Sequence, residues 1–143
     1  MSKSWYKIPA WPDAKEAWPR LREHYTVSTL TILTVAIIVY SSRHAGIGWD
    51  SVISCEFLGA YKPHPTVYAA APRLLQLAPE EIMMVAAHNF DLLGARKAGM
   101  KTAFVRRVDE WGGKDLSDPI NFPDPSHEII VDSFQELADR LTL

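Results

Sequence analysis

Residues 82–105 read IMMVAAHNFDLLGARKAGMKTAFV. Ile82–Ala87 is a continuous apolar run of strand length, opened by the turn-like Pro79-Glu80-Glu81, and predicts a buried strand. His88 and Asn89 break it. FDLLGARKAG then shows helical spacing and closes at Gly99, a residue that ends helices because it accepts the left-handed conformation. KTAFV returns to a strand pattern. Two strands joined by a helical crossover run parallel, so this stretch predicts a βαβ unit.

The same alternation extends outward. TVSTLTIL, Thr26–Leu33, is rich in β-branched residues and predicts a strand. VAIIVYSSRHAG predicts a helix stopped at Gly46, SVISC a short strand, and PTVYAAAPRLLQL a helix flawed internally at Pro72. EIIV and SFQELADRL predict a last strand and helix, with Ser133 as its cap. Upstream, WPDAKEAWPRLREHY has helical spacing at Ala14, Trp18 and Leu21, with Asp13 as the expected cap. Pro19 lies inside that pattern and is expected to kink or restart the helix. EWGGKDLSDPINFPDPSHE, residues 110–128, reads as a long Gly/Pro/Asp-rich loop. The expected fold class is therefore α/β, Rossmann-like, with a mostly parallel sheet and helices on both faces. In such sheets ligands sit at the carboxyl ends of strands, which is where Thr31, Lys62 and Asp91 fall.

Length and composition bound the function. A chain of 143 residues is one domain by size, and 48% hydrophobic with 22% charged residues suits a folded core. A net charge of −2 without a basic block points away from nucleic acid. Leu30–Tyr40, the most apolar run, is far shorter than the roughly 20 residues that span a bilayer. The N-terminus has no signal-type apolar core, and Cys55 has no second cysteine to pair with. These features predict a cytoplasmic protein with no membrane or nucleic-acid partner. The five histidines show no metal-ligand spacing, so no metal and no cofactor are expected. Met83 and Met84 read as core filler.

The residues also carry a resemblance. AYKPHPTVY, MMVAAHNFDLLGARKAG and KTAFVRR together resemble the haloacid dehalogenase superfamily, and within it the type II 2-haloacid dehalogenase branch, from about Trp11 to Glu110. The resemblance implies a HAD-like core and hydrolysis of a small 2-substituted carboxylic acid through an aspartate nucleophile. By position it implies catalytic roles for Thr31, Lys62 and Asp91. Thr31 would bind the substrate carboxylate or intermediate, Lys62 would balance charge, and Asp91 would be the acidic loop residue. It implies Tyr68 as the tyrosine of the dehalogenase branch, and Tyr68, His88 and Asn89 are taken as substrate-binding. The chemistry suits the residue types: an ammonium keeps a nearby carboxylate ionised and stabilises developing negative charge. An Asp in a first helical turn also gains from the helix dipole. Taken singly, a Lys-Pro turn and a first-turn Asp are ordinary turn and cap chemistry.

Three departures shape the expectation. Phosphatases of the superfamily carry a second acidic residue where this chain has Ala87, and one carboxylate is a poor magnesium site. Where the branch has Asn-Gly after Thr31, this chain has Ile32-Leu33. Asp13 is the only aspartate before Thr31, and no nucleophile motif occurs in the sequence. The expected organisation is a single domain over 1–143. Residues 1–25 would be a remnant of the cap-to-core connection, and 26–143 a HAD-like core truncated at the N-terminus and lacking its first strand. That strand would lie between Thr26–Leu33 and Ile82–Ala87. Each unpaired buried backbone group costs roughly 1–3 kcal/mol. The two edges are therefore expected to pair directly, or to be completed by a complementing chain or a homo-oligomer. The activity expectation is a hydrolase inactive as this isolated chain, acting on a small-molecule acid if active. The alternative is a degenerate, non-catalytic relative that binds a small molecule or a protein. A receiver-like signalling domain is disfavoured because no acidic pair sits near a strand end.

Overall fold

A computed structural model describes residues 3–110, 112 and 122–143. The chain forms two compact units, one running through Tyr61 and including Phe134–Leu143, the other spanning Lys62–Ser133. Each is described separately.

In the first unit a short 3-10 segment, Lys3–Lys7, precedes helix α1, Pro12–His24. Pro12 occupies the first helical turn, where its missing N–H costs nothing. Ala14, Ala17, Trp18 and Leu21 are buried and form a single i, i+3, i+4, i+7 stripe. That stripe packs with Ala138 of α5, Phe134–Leu141, and with Val27, Ile47, Trp49 and Phe134. Trp18 meets Trp49 edge-on at 4.8 Å, and its Nε1 donates to the Gly48 carbonyl at 2.6 Å. Strands β1, Ser28–Thr31, and β2, Ser51–Ser54, pair in parallel, with Thr31 opposite Ser54. Between them runs α2, Val35–Ala45, ended by Gly46 at φ +71°. Its first turn is capped twice. Thr34 Oγ1 accepts the Ile37 N–H at 3.3 Å, and the Glu56 carboxylate accepts the Val35 N–H at 2.8 Å.

The second unit contains α3, Pro65–Leu75, then β3, Met83–Ala86, α4, Asn89–Lys97, β4, Lys101–Val105, and β5, Ile129–Val131. The three strands form a parallel sheet in the order β3-β4-β5. β4 is central, and Thr102–Val105 are buried. Val67, Tyr68, Leu92, Ala95 and Phe104 fill the core around it.

Every strand pairing among the described residues is parallel, so the α/β class read from the alternation holds. Four expectations change. Pro19 does not restart α1, which runs unbroken through it. The proline lies on the exposed side, and the buried stripe on the other side holds the two halves in line. Asp13 does not cap α1, whose N-cap position is Trp11. Its carboxylate instead accepts the Phe134 N–H at 2.8 Å, supplying a partner to the first donor of α5. β3 is half-buried rather than fully buried, because among the described residues it lies at the end of its sheet. Thr26–Leu33 and Ile82–Ala87 do not pair. β1 bonds to β2 in one sheet and β3 to β4 in the other, each through one of its two edges. Of the predicted 110–128 loop, residues 111 and 113–121 lie outside the described residues. No helix among the described residues is long and apolar enough to cross a membrane.

Candidate active site

Lys62, Pro63, His64 and Pro65 lead into α3, and the Lys62–Pro63 peptide is cis. His64 is the N-cap, its Nδ1 accepting the Thr66 N–H at 3.2 Å, and Pro65 sits in the first turn. The prolines and this cap fix where Lys62 leaves the helix start. Tyr68, one turn further, is wholly buried. Asp91 lies in the first turn of α4, where the positive end of the helix favours a carboxylate.

These three residues meet. Lys62 Nζ donates to Asp91 Oδ2 at 2.8 Å, and the Tyr68 hydroxyl donates to Asp91 Oδ1 at 2.8 Å. The Lys62 and Asp91 side chains are only 10% and 12% exposed, so the pair is screened far less than a surface ion pair. Both oxygens of Asp91 are occupied. An ammonium carries three donors, of which Asp91 takes one.

His88 and Asn89, at the carboxyl end of β3, are placed differently. His88 Nε2 lies 2.9 Å from Glu110 Oε2, and its ring stacks on Phe90 with centroids 5.9 Å apart. Asn89 turns to the segment before β5. Its Nδ2 donates to the Phe122 carbonyl at 2.5 Å, and its Oδ1 accepts the Asp124 N–H at 2.9 Å. His127 Nε2 is 3.0 Å from that same Oδ1. Because Oδ1 only accepts, His127 must carry its proton on Nε2. His127 Nδ1 then faces the buried Thr102 hydroxyl at 2.9 Å. Glu128 accepts from the Thr102 N–H at 2.7 Å, and Arg96 reaches both Thr102 at 3.1 Å and Glu128 at 3.5 Å. Burial, with a smaller push from Arg96, holds the His127 imidazole below its ordinary value against the opposing pull of Asp124 and Glu128. Burial pushes the Glu128 carboxyl up, but the Thr102 hydrogen bonds and Arg96 outweigh it and leave it lowered.

Thr31 ends β1 in the first unit, and its Oγ1 accepts the Leu33 N–H at 3.1 Å, a local turn bond. Ile32 beside it is 55% exposed. Of the residues expected from sequence, Lys62 and Tyr68 thus each contact Asp91 directly. His88 pairs with Glu110, and Asn89 joins the His127 network.

Residues 13–105 match the family model for haloacid dehalogenase-like hydrolases. The chain belongs to that family. The (S)-2-haloacid dehalogenase of Xanthobacter autotrophicus is 27% identical over 114 residues, covering 77% of this chain and 44% of that protein. The (S)-2-haloacid dehalogenase 4A of Burkholderia cepacia is 28% identical over 110 residues, 75% of this chain and 48% of that protein. A crystal structure of an L-2-haloacid dehalogenase matches with a TM-score of 0.92 at 35% identity, covering 98% of this chain and 59% of that one. The chain spans about half the length of the curated relatives it matches.

The cluster of Lys62, Tyr68 and Asp91 offers little to a magnesium ion, which some members of the superfamily use. Ala87 has no side-chain donor, and both Asp91 oxygens are engaged by Lys62 and Tyr68. Among the described residues no group of three or more His, Cys, Asp or Glu side chains could hold a metal. Glu110, the partner of His88, escapes a reading of the sequence alone. It sits in a turn-rich stretch with no pattern around it.

Proposed function

We propose that Lys62, Tyr68 and Asp91 form the charge-balancing part of a hydrolase site acting on small 2-substituted carboxylic acids. The observation that carries this reading is the Asp91 carboxylate held between Lys62 Nζ and the Tyr68 hydroxyl, both at 2.8 Å. A carboxylate so engaged is a poor nucleophile, because attack would break one bond and strand a donor in a nearly dry site. Its role is to aim the ammonium. Lys62 then offers its other N–H groups to an anion, either the substrate carboxylate or an attacking carboxylate. His88, at the carboxyl end of β3 and 27% exposed, lines the substrate in this scheme.

The reaction is displacement at the substituted carbon. An aspartate carboxylate attacks, the substituent leaves with its electron pair, and water cleaves the resulting ester. Asp91 is unsuited to that attack and no nucleophile motif occurs in these residues, so the isolated 143-residue chain is proposed to be inactive. A complementing strand bearing the carboxylate would find a place on β3, which has a strand neighbour on one side only among the described residues.

The test is halide release from 2-chloropropionate, with phosphate release from p-nitrophenyl phosphate alongside. The purified chain is expected to show neither above background. Turnover that falls on Lys62→Ala or Asp91→Asn would overturn the inactivity. Binding of 2-chloropropionate that is indifferent to Lys62→Ala would overturn the role of the lysine.

A further inference from the structure

We infer that Gly94 is a positioning residue: its missing side chain is the notch that seats the Tyr68 ring and so aims Asp91 at Lys62. Gly94 lies inside α4, one turn after Asp91. No unusual backbone angle requires a glycine there, since Gly94 is absent from the positive-φ residues. Helix interiors disfavour glycine, so its presence needs another reason. Space supplies it. A Cβ at Gly94 would lie 2.5 Å from both Cε2 and Cζ of Tyr68 and 2.8 Å from its hydroxyl oxygen.

Ordinary carbon contacts begin near 3.4 Å, so the ring would have to retreat by roughly 0.9 Å. Tyr68 is wholly buried, and Leu92 and Ala95 of α4 are also without exposure, so the ring would have to move through closely packed protein. The hydroxyl bond to Asp91 is 2.8 Å long. A retreat of about 0.9 Å carries it beyond the ~3.5 Å limit at which a hydrogen bond is lost. Asp91 Oδ1 would then be an unpartnered acceptor, and the carboxylate could rotate away from the geometry that presents Oδ2 to Lys62. Gly94 touches no reacting atom and acts only through Tyr68. The functional importance of this notch rests on the proposed roles of Lys62, Tyr68 and Asp91, but the notch itself can be tested without any turnover.

The experiment uses the full 143-residue chain with 13Cζ-labelled tyrosine. The Tyr68 carbon and hydroxyl-proton signals are assigned by their loss in Tyr68→Phe. Gly94→Ala is expected to shift the Tyr68 carbon and abolish its slowly exchanging hydroxyl proton. Lys97→Ala, on the exposed side of the same helix, is expected to leave both in place. Unchanged Tyr68 signals in Gly94→Ala would overturn the inference. If Gly94→Ala does not fold, the same change is made in a Tyr68→Leu background, where the clashing ring atoms are gone. Recovery of folding there supports the notch, and failure to fold in Gly94→Ala/Tyr68→Leu while Tyr68→Leu alone folds overturns it. Absence of halide release bears on the proposed function alone, because every signal here comes from the resting protein.

Discussion

Lys62 and Asp91, 29 residues apart in sequence, meet at 2.8 Å with side chains only 10% and 12% exposed. A pair this buried behaves differently from a surface bridge, because removing one partner leaves a charge in a poorly hydrated place. Lys62→Met is expected to destabilise the chain by about 3 kcal/mol, the lower end for breaking a buried pair. Lys62→Met with Asp91→Leu is expected to cost less than the two single changes added together, because no orphan charge remains. Urea unfolding of the four proteins measures the coupling, and strict additivity would contradict it.

A second expectation concerns acid. His127 is held below its ordinary value of 6.5, first by burial and then by Arg96, with Asp124 and Glu128 pulling the other way. Below about pH 6.5 the unfolded chain therefore takes up a proton that the folded chain refuses. Unfolding is favoured, so stability is present above that pH and is lost as pH falls through this window. Asp124 and Glu128 are lowered in the folded state, so their contributions are lost further down, below the ordinary carboxyl range. Thermal melts from pH 7.5 to 4 are expected to decline first near pH 6.5. His127→Gln keeps a donor for Asn89 and cannot titrate, and should remove that first decline.

Asp13 offers a third test. Its carboxylate accepts the Phe134 N–H at 2.8 Å across 121 positions, tying α1 to the start of α5. Losing a helix-end acceptor typically costs about 1 kcal/mol. Asp13→Ala is expected to lower stability by that amount and to speed amide exchange in Phe134–Leu141. Asp13→Asn retains an acceptor and should recover most of the loss. Equal losses in both variants would point to charge rather than to the bond.

How much of this was legible follows from how local each signal is. Gly46 at the end of α2, the β-branched Ser28–Thr31 strand and the apolar run into β3 are short-range patterns, and they read correctly. Pro19 misled because the local rule against interior proline was overridden by packing of the Ala14-Ala17-Trp18-Leu21 stripe. Asp13 looked like a cap for its own helix, and only the folded chain reveals that it serves another. The meeting of Lys62, Tyr68 and Asp91 was suggested by resemblance to a family, not by spacing. Asn89 could not be placed from sequence, because its partners Phe122, Asp124 and His127 come from a stretch with no periodicity.

The last expectation concerns the edge of β3. Among the described residues, in the order β3-β4-β5, β4 is paired on both sides and β3 on one. Met83–Ala86 are half-buried, whereas Thr102–Val105 are buried. Amides of β4 should therefore exchange only when the sheet opens. In β3 successive N–H groups point alternately toward β4 and away, so alternate amides are expected to exchange fast while their neighbours stay protected. A half-buried apolar edge of this kind also invites strand addition. A peptide that docks there should slow the fast set without altering β4, and replacing Val85 with lysine should weaken the docking. Hydrogen exchange read residue by residue decides the matter. Uniform protection along Met83–Ala86 in the chain alone would mean that the outer edge is already paired, and the proposal that β3 receives a complementing strand would fall with it.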